Sequence, residues 1–310
     1  MTEAVVIPLP NIVVSSENPL IIDSASSPVS FDTIQVTEGG YVKIVVSCIF
    51  SCKKLEKIIG GASSTLNSTQ YDIIIVGVDA NAGADGPRGL DGESGGNGSS
   101  GQCIAGGGGI SEYPRGGGGG AKGEDGAAGM RGANADPSPN VNLNLGLVTG
   151  SVSILDNGGN GGAGGSGGGG GNGGKGGSGG NGKSCGAFAM SGANGGNGGF
   201  GGNGLSGGSG GNGGNAGAVI VKYTPASAKD GVIGVSIAGR AGGAGPVGVG
   251  GVGGKGGDGG GNGGSDGSPG ANGANGDNAL VTPGGPGTAS KQMTIYTLNA
   301  AGLIINSIIC

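Results

Sequence analysis

The stretch Gly177-Ser178-Gly179-Gly180-Asn181-Gly182-Lys183-Ser184 has the GxxxxGK[ST] spacing of a phosphate-binding loop. That chemistry needs a strand before the loop and a helix after it, so that backbone N–H groups and the helix dipole converge on phosphate. Here a long Gly-Gly-X tract precedes the loop. The sequence after it, Cys185-Gly186-Ala187-Phe188-Ala189-Met190, does not sustain a helix, so Lys183 and Ser184 read as turn residues. The other chemistries fail earlier. The chain contains no His, which removes the His-dependent hydrolase triads. Cys48 and Cys52 have no second Cys pair or His to complete a zinc site. Asp258 and Asp266 sit among glycines but lack the recurring apolar position of a calcium β-roll. No catalytic, cofactor-binding or metal-ligating residue is assigned, and the expected class is non-enzymatic.

Composition points the same way. Of 310 residues 88 are Gly, against four Phe, five Tyr and no Trp. An ordinary domain carries roughly 7% Gly. The net charge of −5 and the scattered Lys and Arg argue against nucleic acid as a partner. No apolar stretch reaches the roughly 20 residues of a membrane span, so no membrane insertion is expected. Residues 1–42 contain no Lys or Arg, and no signal peptide is recognisable.

The apolar residues concentrate in 1–80, which reads as an N-terminal β domain of short β-branched runs separated by Pro, Ser, Asn and Gly. Glu38-Gly39-Gly40 looks like a hairpin turn. The stretch from Lys53 to Ile59 is compatible with a helical turn or a strand. Beyond it, 81–310 reads as a glycine-rich region with interleaved β-hairpins at 141–155, 218–238 and 293–309.

A period of three governs that region. Gly recurs at 83, 86, 89, 92, 95, 98 and 101, then from 117 to 132 at the same interval. From Asn157 the pattern tightens to Gly-Gly-X, with Asn157, Asn160, Ala163, Ser166, Asn172, Lys175, Ser178 and Asn181 among the X residues. A flexible tether has no reason to keep phase. Three residues per turn is the repeat of a polyproline II-type helix, in which each period-three set forms one ridge. An all-Gly ridge lets a neighbouring backbone approach, because no Cβ intervenes. Such a helix has no internal hydrogen bonds, so only lateral packing can satisfy its backbone. The expected fold is therefore mostly β plus irregular, with almost no α-helix: a β-strand base carrying a bundle of polyglycine II helices. Each glycine block leaves the base, turns near its middle and returns.

The turns fall at 102–115, at 184–191 and at a register slip from Gly259 to Gly261. Their apolar residues Ile104, Ile110, Tyr113, Phe188 and Met190 are either a seal on the bundle end or a recognition patch. Cys103 and Cys185 share that end, and a disulfide between them is predicted. Five cysteines then leave at least one unpaired. At the other end, Val5, Val6, Ile7, Ile12, Val13 and Val14 form a candidate assembly strand that adds to a neighbour's sheet.

Dense Gly-Gly-X tracts broken at 102–115 and 184–191 resemble the glycine-rich region of T-even-like phage distal tail-fibre adhesins, over roughly 83–286. That resemblance implies a polyglycine II sandwich whose loops read a host receptor. The tracts also resemble glycine-rich arrays of mycobacterial surface proteins and of springtail antifreeze proteins. The reading placed first is a self-assembling extracellular filament or surface-layer subunit, partnered by itself. A receptor-binding adhesin that takes a cell-surface receptor or glycan is second, and an ice-binding protein third. All three place the chain outside the cell, on a surface or in a virion.

Overall fold

The structure is a computed structural model that describes residues 10–24, 28–58, 71–106, 108–262, 281–286 and 293–310. The described residues form strands, turns and extended glycine-rich runs, with no helix among them. The early strands are β1 (Asn11–Val14), β2 (Leu20–Ile22), β3 (Val29–Val36), β4 (Val42–Ile44), β5 (Cys48–Lys57) and β6 (Ile73–Val76). Four short ones follow in pairs: β7 (Gln102–Cys103) with β8 (Ile110–Glu112), and β11 (Ser184–Cys185) with β12 (Phe188–Ala189). The rest are β9 (Val141–Thr149), β10 (Ser151–Asn157), β13 (Val219–Pro225), β14 (Gly231–Ile237), β15 (Thr294–Leu298) and β16 (Ile304–Ile309).

The strands build two sheets in alternation. One has the order β1-β3-β5-β9-β13-β15-β16 and the other β14-β10-β6-β4-β2. Every pairing within them is parallel except β15 with β16. The chain thus winds as a flattened parallel solenoid, adding one strand to each sheet per coil. One apolar cluster fills the space between, with Val14, Ile34, Phe50, Leu55, Leu143, Val221 and Ile295 from the larger sheet. Ile44, Ile73, Ile75, Val152 and Ile154 come from the smaller one.

This winding corrects the hairpin expectations. The turn at Gly39, which has φ of 77°, links β3 to β4 in the opposite sheet. In 141–155 and 218–238 the two strands likewise belong to different sheets, with Gly150 (φ 89°) at the first of these corners. Only 293–309 folds back on itself, as β15 and β16. Two alternating runs around a turn look alike whether they pair with each other or face each other across a core. The undecided stretch from Lys53 lies in β5 up to Lys57.

The glycine-rich runs extend this winding. The composition boundary near residue 80 falls where β6 passes directly into the first run, 77–101. The first run pairs antiparallel with the second, 115–138, through Gly118 N–H to Gly96 O, Ala121 to Glu93 and Glu124 to Leu90, each at 2.8 Å. The third run, 157–182, lies parallel to the first, since Gly83, Gly86 and Gly98 donate to Ala163, Ser166 and Ser178. The fourth, 192–217, lies parallel to the second, with Gly120 N–H on Asn197 O at 2.8 Å. The fifth, 238–260, continues the layer of the first and third, with Gly161 N–H on Arg240 O at 2.8 Å. The short described piece 281–286 joins the other layer, with Gly213 N–H on Gly285 O at 3.0 Å. Outgoing runs prolong the smaller sheet, and returning runs lead into the larger.

The change from Gly-X-Y to Gly-Gly-X now has a physical cause. The first run closes against its antiparallel partner along one ridge: a Cβ on Gly86 or Gly89 would lie 2.0 or 2.1 Å from a carbonyl oxygen of the second run. The third run sits between four neighbours and needs two bare ridges. A Cβ on Gly165 would meet Ala84 O of the first run at 2.0 Å, and one on Gly164 would meet Gly208 O of the fourth at 2.0 Å. The X residues also act. Asp79, Asp85, Asp91 and Asn97 of the first run accept the N–H groups of Asn160, Ser166, Asn172 and Ser178. Asn160, Asn172 and Asn181 in turn accept from Arg240, Val252 and Gly261. Side-chain oxygens thereby satisfy donors that no backbone carbonyl reaches.

Two substitutions of the same type should part company. Gly171→Ala places its Cβ 1.8 Å from Leu90 O and should destabilise by about 3 kcal/mol or more. Gly96→Ala meets nothing within 4 Å and should be neutral or stabilising by up to about 1 kcal/mol. Equal unfolding midpoints for the two variants would contradict the ridge packing.

Candidate functional site

Among the places where the described residues expose apolar side chains are the far ends of the glycine-rich runs and the last edge of the larger sheet. At the far ends, β7 and β8 close one hairpin, in which Ile104 N–H donates to Gly109 O at 2.9 Å. β11 and β12 close the other around Gly186 and Ala187, with Gly186 at φ 68° supplying the backbone a two-residue loop needs. A disulfide between Cys103 and Cys185 joins the hairpins, with Cα atoms 5.4 Å apart. The structure divides the five apolar residues of this end. Ile104, Tyr113 and Phe188 are more than half exposed, Ile110 is half-buried, and Met190 is 4% exposed. Met190 lies over Gly101, where a Cβ would stand 2.7 Å from its terminal methyl. Met190 therefore seals the end, and Ile104, Tyr113 and Phe188 face solvent.

The remaining thiols play no part in that end. Cys48 and Cys52 are buried, and Cys310 is free as well, so three of the five cysteines stay unpaired. Burial pushes the Cys52 thiol up to about 12, far from a reactive thiolate. The GxxxxGK[ST] stretch ends the third run and enters β11, with no helix after it. Among the described residues no three His, Cys, Asp or Glu side chains gather as a metal site.

At the base, β1 forms one edge of the seven-stranded sheet, with Val13 exposed, Ile12 half-buried and Val14 fully buried. Val5, Val6 and Ile7 lie outside the described residues. The opposite edge is β16, a site that the sequence reading missed. All six of its residues are exposed, among them Ile304, Ile305, Ile308 and Ile309. The signal was present: Leu303-Ile304-Ile305 and Ile308-Ile309 are apolar on both faces of a strand, where a half-buried strand alternates.

A polar seam holds base and runs together. Asp156, fully buried at the end of β10, accepts from Ser138 Oγ of the second run and from Ser236 Oγ of β14 at 3.2 Å. Gly217 N–H of the fourth run donates to Ser138 Oγ at 2.6 Å. Burial raises the Asp156 carboxyl above the ordinary range, against the lowering effect of these donors. On the surface, Asp91 and Asp125 are lowered, first by the backbone N–H groups of Asn172 and Asn203 and then by Arg88 and Lys122.

Compared with known proteins, no family model matches the chain, and neither a curated protein nor a solved structure matches it significantly.

Asp156 and the surface pair act on stability in opposite senses. The folded chain holds the Asp156 proton more tightly than the unfolded chain, so this group favours folding in acid. Its contribution fades as pH rises through the raised value. Asp91 and Asp125 contribute above the ordinary carboxylate range and lose their effect on acidification. Asp156→Asn should therefore raise the unfolding midpoint relative to the unmodified protein more at pH 7 than at pH 4. A difference that shrinks toward pH 7 would refute the assignment. Breaking the clasp with Cys103→Ser should lower the midpoint, by about 2–4 kcal/mol of stability if unfolding is cooperative. An unchanged midpoint in the oxidised and reduced proteins would show that the ends hold without it.

Proposed function

We propose that the chain is a non-enzymatic structural protein: a self-assembling subunit of an extracellular filament or surface layer, built on polyglycine II helices. The helix assignment is supported by backbone bonds that recur at three-residue intervals and by ridges that tolerate no Cβ. At about 3.1 Å per residue, the run 77–101 is a rod of roughly 75 Å. Its partners are backbones, so its stiffness needs no apolar core.

The observation that carries self-assembly is the uncovered apolar edge at β16. A contiguous exposed apolar surface marks a contact site. The disulfide between Cys103 and Cys185 at the far end fits an oxidising compartment, and so a location outside the cytosol.

A second reading, a receptor-binding adhesin, is favoured by Ile104, Tyr113 and Phe188 displayed on clasped hairpins at the end of a rod. The two readings use opposite ends of the molecule. Among the described residues no comparable feature favours ice binding, since Asn160, Asn172 and Asn181 direct their side-chain oxygens to neighbouring runs.

Purified protein viewed by negative-stain microscopy over a concentration series should give fibres or sheets, with light scattering that rises as they form. Discrete single-chain particles at every concentration would remove the assembly reading. Binding to a cell surface or glycan, lost in Tyr113→Ser with Phe188→Ser, would then establish the adhesin.

A further inference from the structure

The seven-stranded sheet ends on two strands without a charge. β1 reads Asn-Ile-Val-Val and β16 reads Ile-Ile-Asn-Ser-Ile-Ile. Sheets that stay solitary protect their edges with Lys, Pro or a covering segment. Neither strand carries Lys or Pro, and among the described residues each pairs on one side only.

The two sheets also stop at different heights. Beyond β13 the larger sheet adds β15 and β16, whereas among the described residues the smaller sheet ends at β14. β16 therefore stands past the end of the sandwich, and Ile304, Ile305, Ile308 and Ile309 are exposed on both of its faces. At the first coil, Val13 of β1 and Ile21 of β2 are 54% and 51% exposed. Among the described residues, one end of the solenoid leaves Val13 and Ile21 about half exposed, and the other offers the apolar side chains of β16.

Strand direction selects how these ends can meet. β1, β3, β5, β9, β13 and β15 all run the same way, and β16 alone is reversed. A second copy displaced along the stacking direction, without turning over, presents its β1 antiparallel to β16. Antiparallel pairing is the more stable per residue. The reversal of the last strand thus makes the open edge suited to the first strand of an identical molecule.

We infer that β16 accepts β1 of a second copy of this chain, head to tail, so that the seven-stranded sheet continues from molecule to molecule. The inference rests on the self-assembly reading and gives it an interface and a polarity. A contact between two different patches does not close on itself and propagates as an open fibre. Pairing of β16 with β16 about a two-fold axis would instead stop at a dimer.

The test blocks one end at a time. Ile305→Lys with Ile308→Lys charges β16, and Val13→Lys charges β1. All three positions are exposed, and far-ultraviolet circular dichroism identical to that of the unmodified chain would verify the fold. Each variant alone should stay monomeric by light scattering at concentrations where the unmodified chain forms fibres. An equimolar mixture should stop at a one-to-one dimer, because one variant keeps a free β1 and the other a free β16. A mixture that stays monomeric overturns the pairing, as do fibres from either variant or a homodimer of the Val13→Lys chain. As a measurement free of substitutions, amide exchange over 11–14 and 304–309 should slow about tenfold or more on assembly of the unmodified protein. Fibres that leave both segments in fast exchange overturn the inference but not the assembly reading. Failure of the unmodified chain to assemble overturns both.

Discussion

The structure depends on contact between backbones with nothing between them. A hydrogen bond from N–H to C=O at 2.8 Å across two extended runs requires that the facing positions carry no Cβ. Built side chains would stand near 2.0 Å from the opposing carbonyl oxygens at position after position. Glycine is the residue that loses most conformational freedom on folding, and this chain uses it at the sites of closest approach. No single bond offsets that loss. The offset comes from lateral neighbours, which is why the runs occur together in two layers and why the central third run is the most glycine-rich.

The strand base solves a problem that the runs cannot solve alone. A lattice of near-identical triplets has no internal mark to say which triplet should face which. The sheets supply it. β6 pairs with β10 so that Val76 lies opposite Asn157, and Gly77 then donates to the Asn157 carbonyl as the first bond of the run. Register fixed by apolar side chains in the core is passed to glycines that carry none. The Asp156 seam sits at that transfer point, where side chains from the second run, β10 and β14 meet.

Much of this was legible in the residues. The phase of glycine marked the runs, the change to Gly-Gly-X marked a segment with more than one close neighbour, and the breaks at 102–115 and 184–191 marked the hairpins. Cys103 and Cys185 were legible as a pair because the out-and-back path puts both breaks at one end. The alternation between two sheets was not legible. Val141–Thr149 and Ser151–Asn157 look like the arms of a hairpin, and which surface each strand joins depends on partners such as β5 and β6, far away in the sequence. The division of the far-end residues was also hidden: Met190 is buried through its contact with Gly101, and no local pattern announces that contact.

The three-residue interval of the bonding has a consequence for how such a chain can change length. Adding three residues to an outgoing run and three to its return moves the hairpin outward by one repeat and leaves every bond beneath it intact. Adding one or two swings the bare ridge away from its neighbour and brings side chains against carbonyls along the whole remaining length. Length variation in a molecule of this design is quantised, so that related chains should differ in reach by whole triplets while sharing one cross-section.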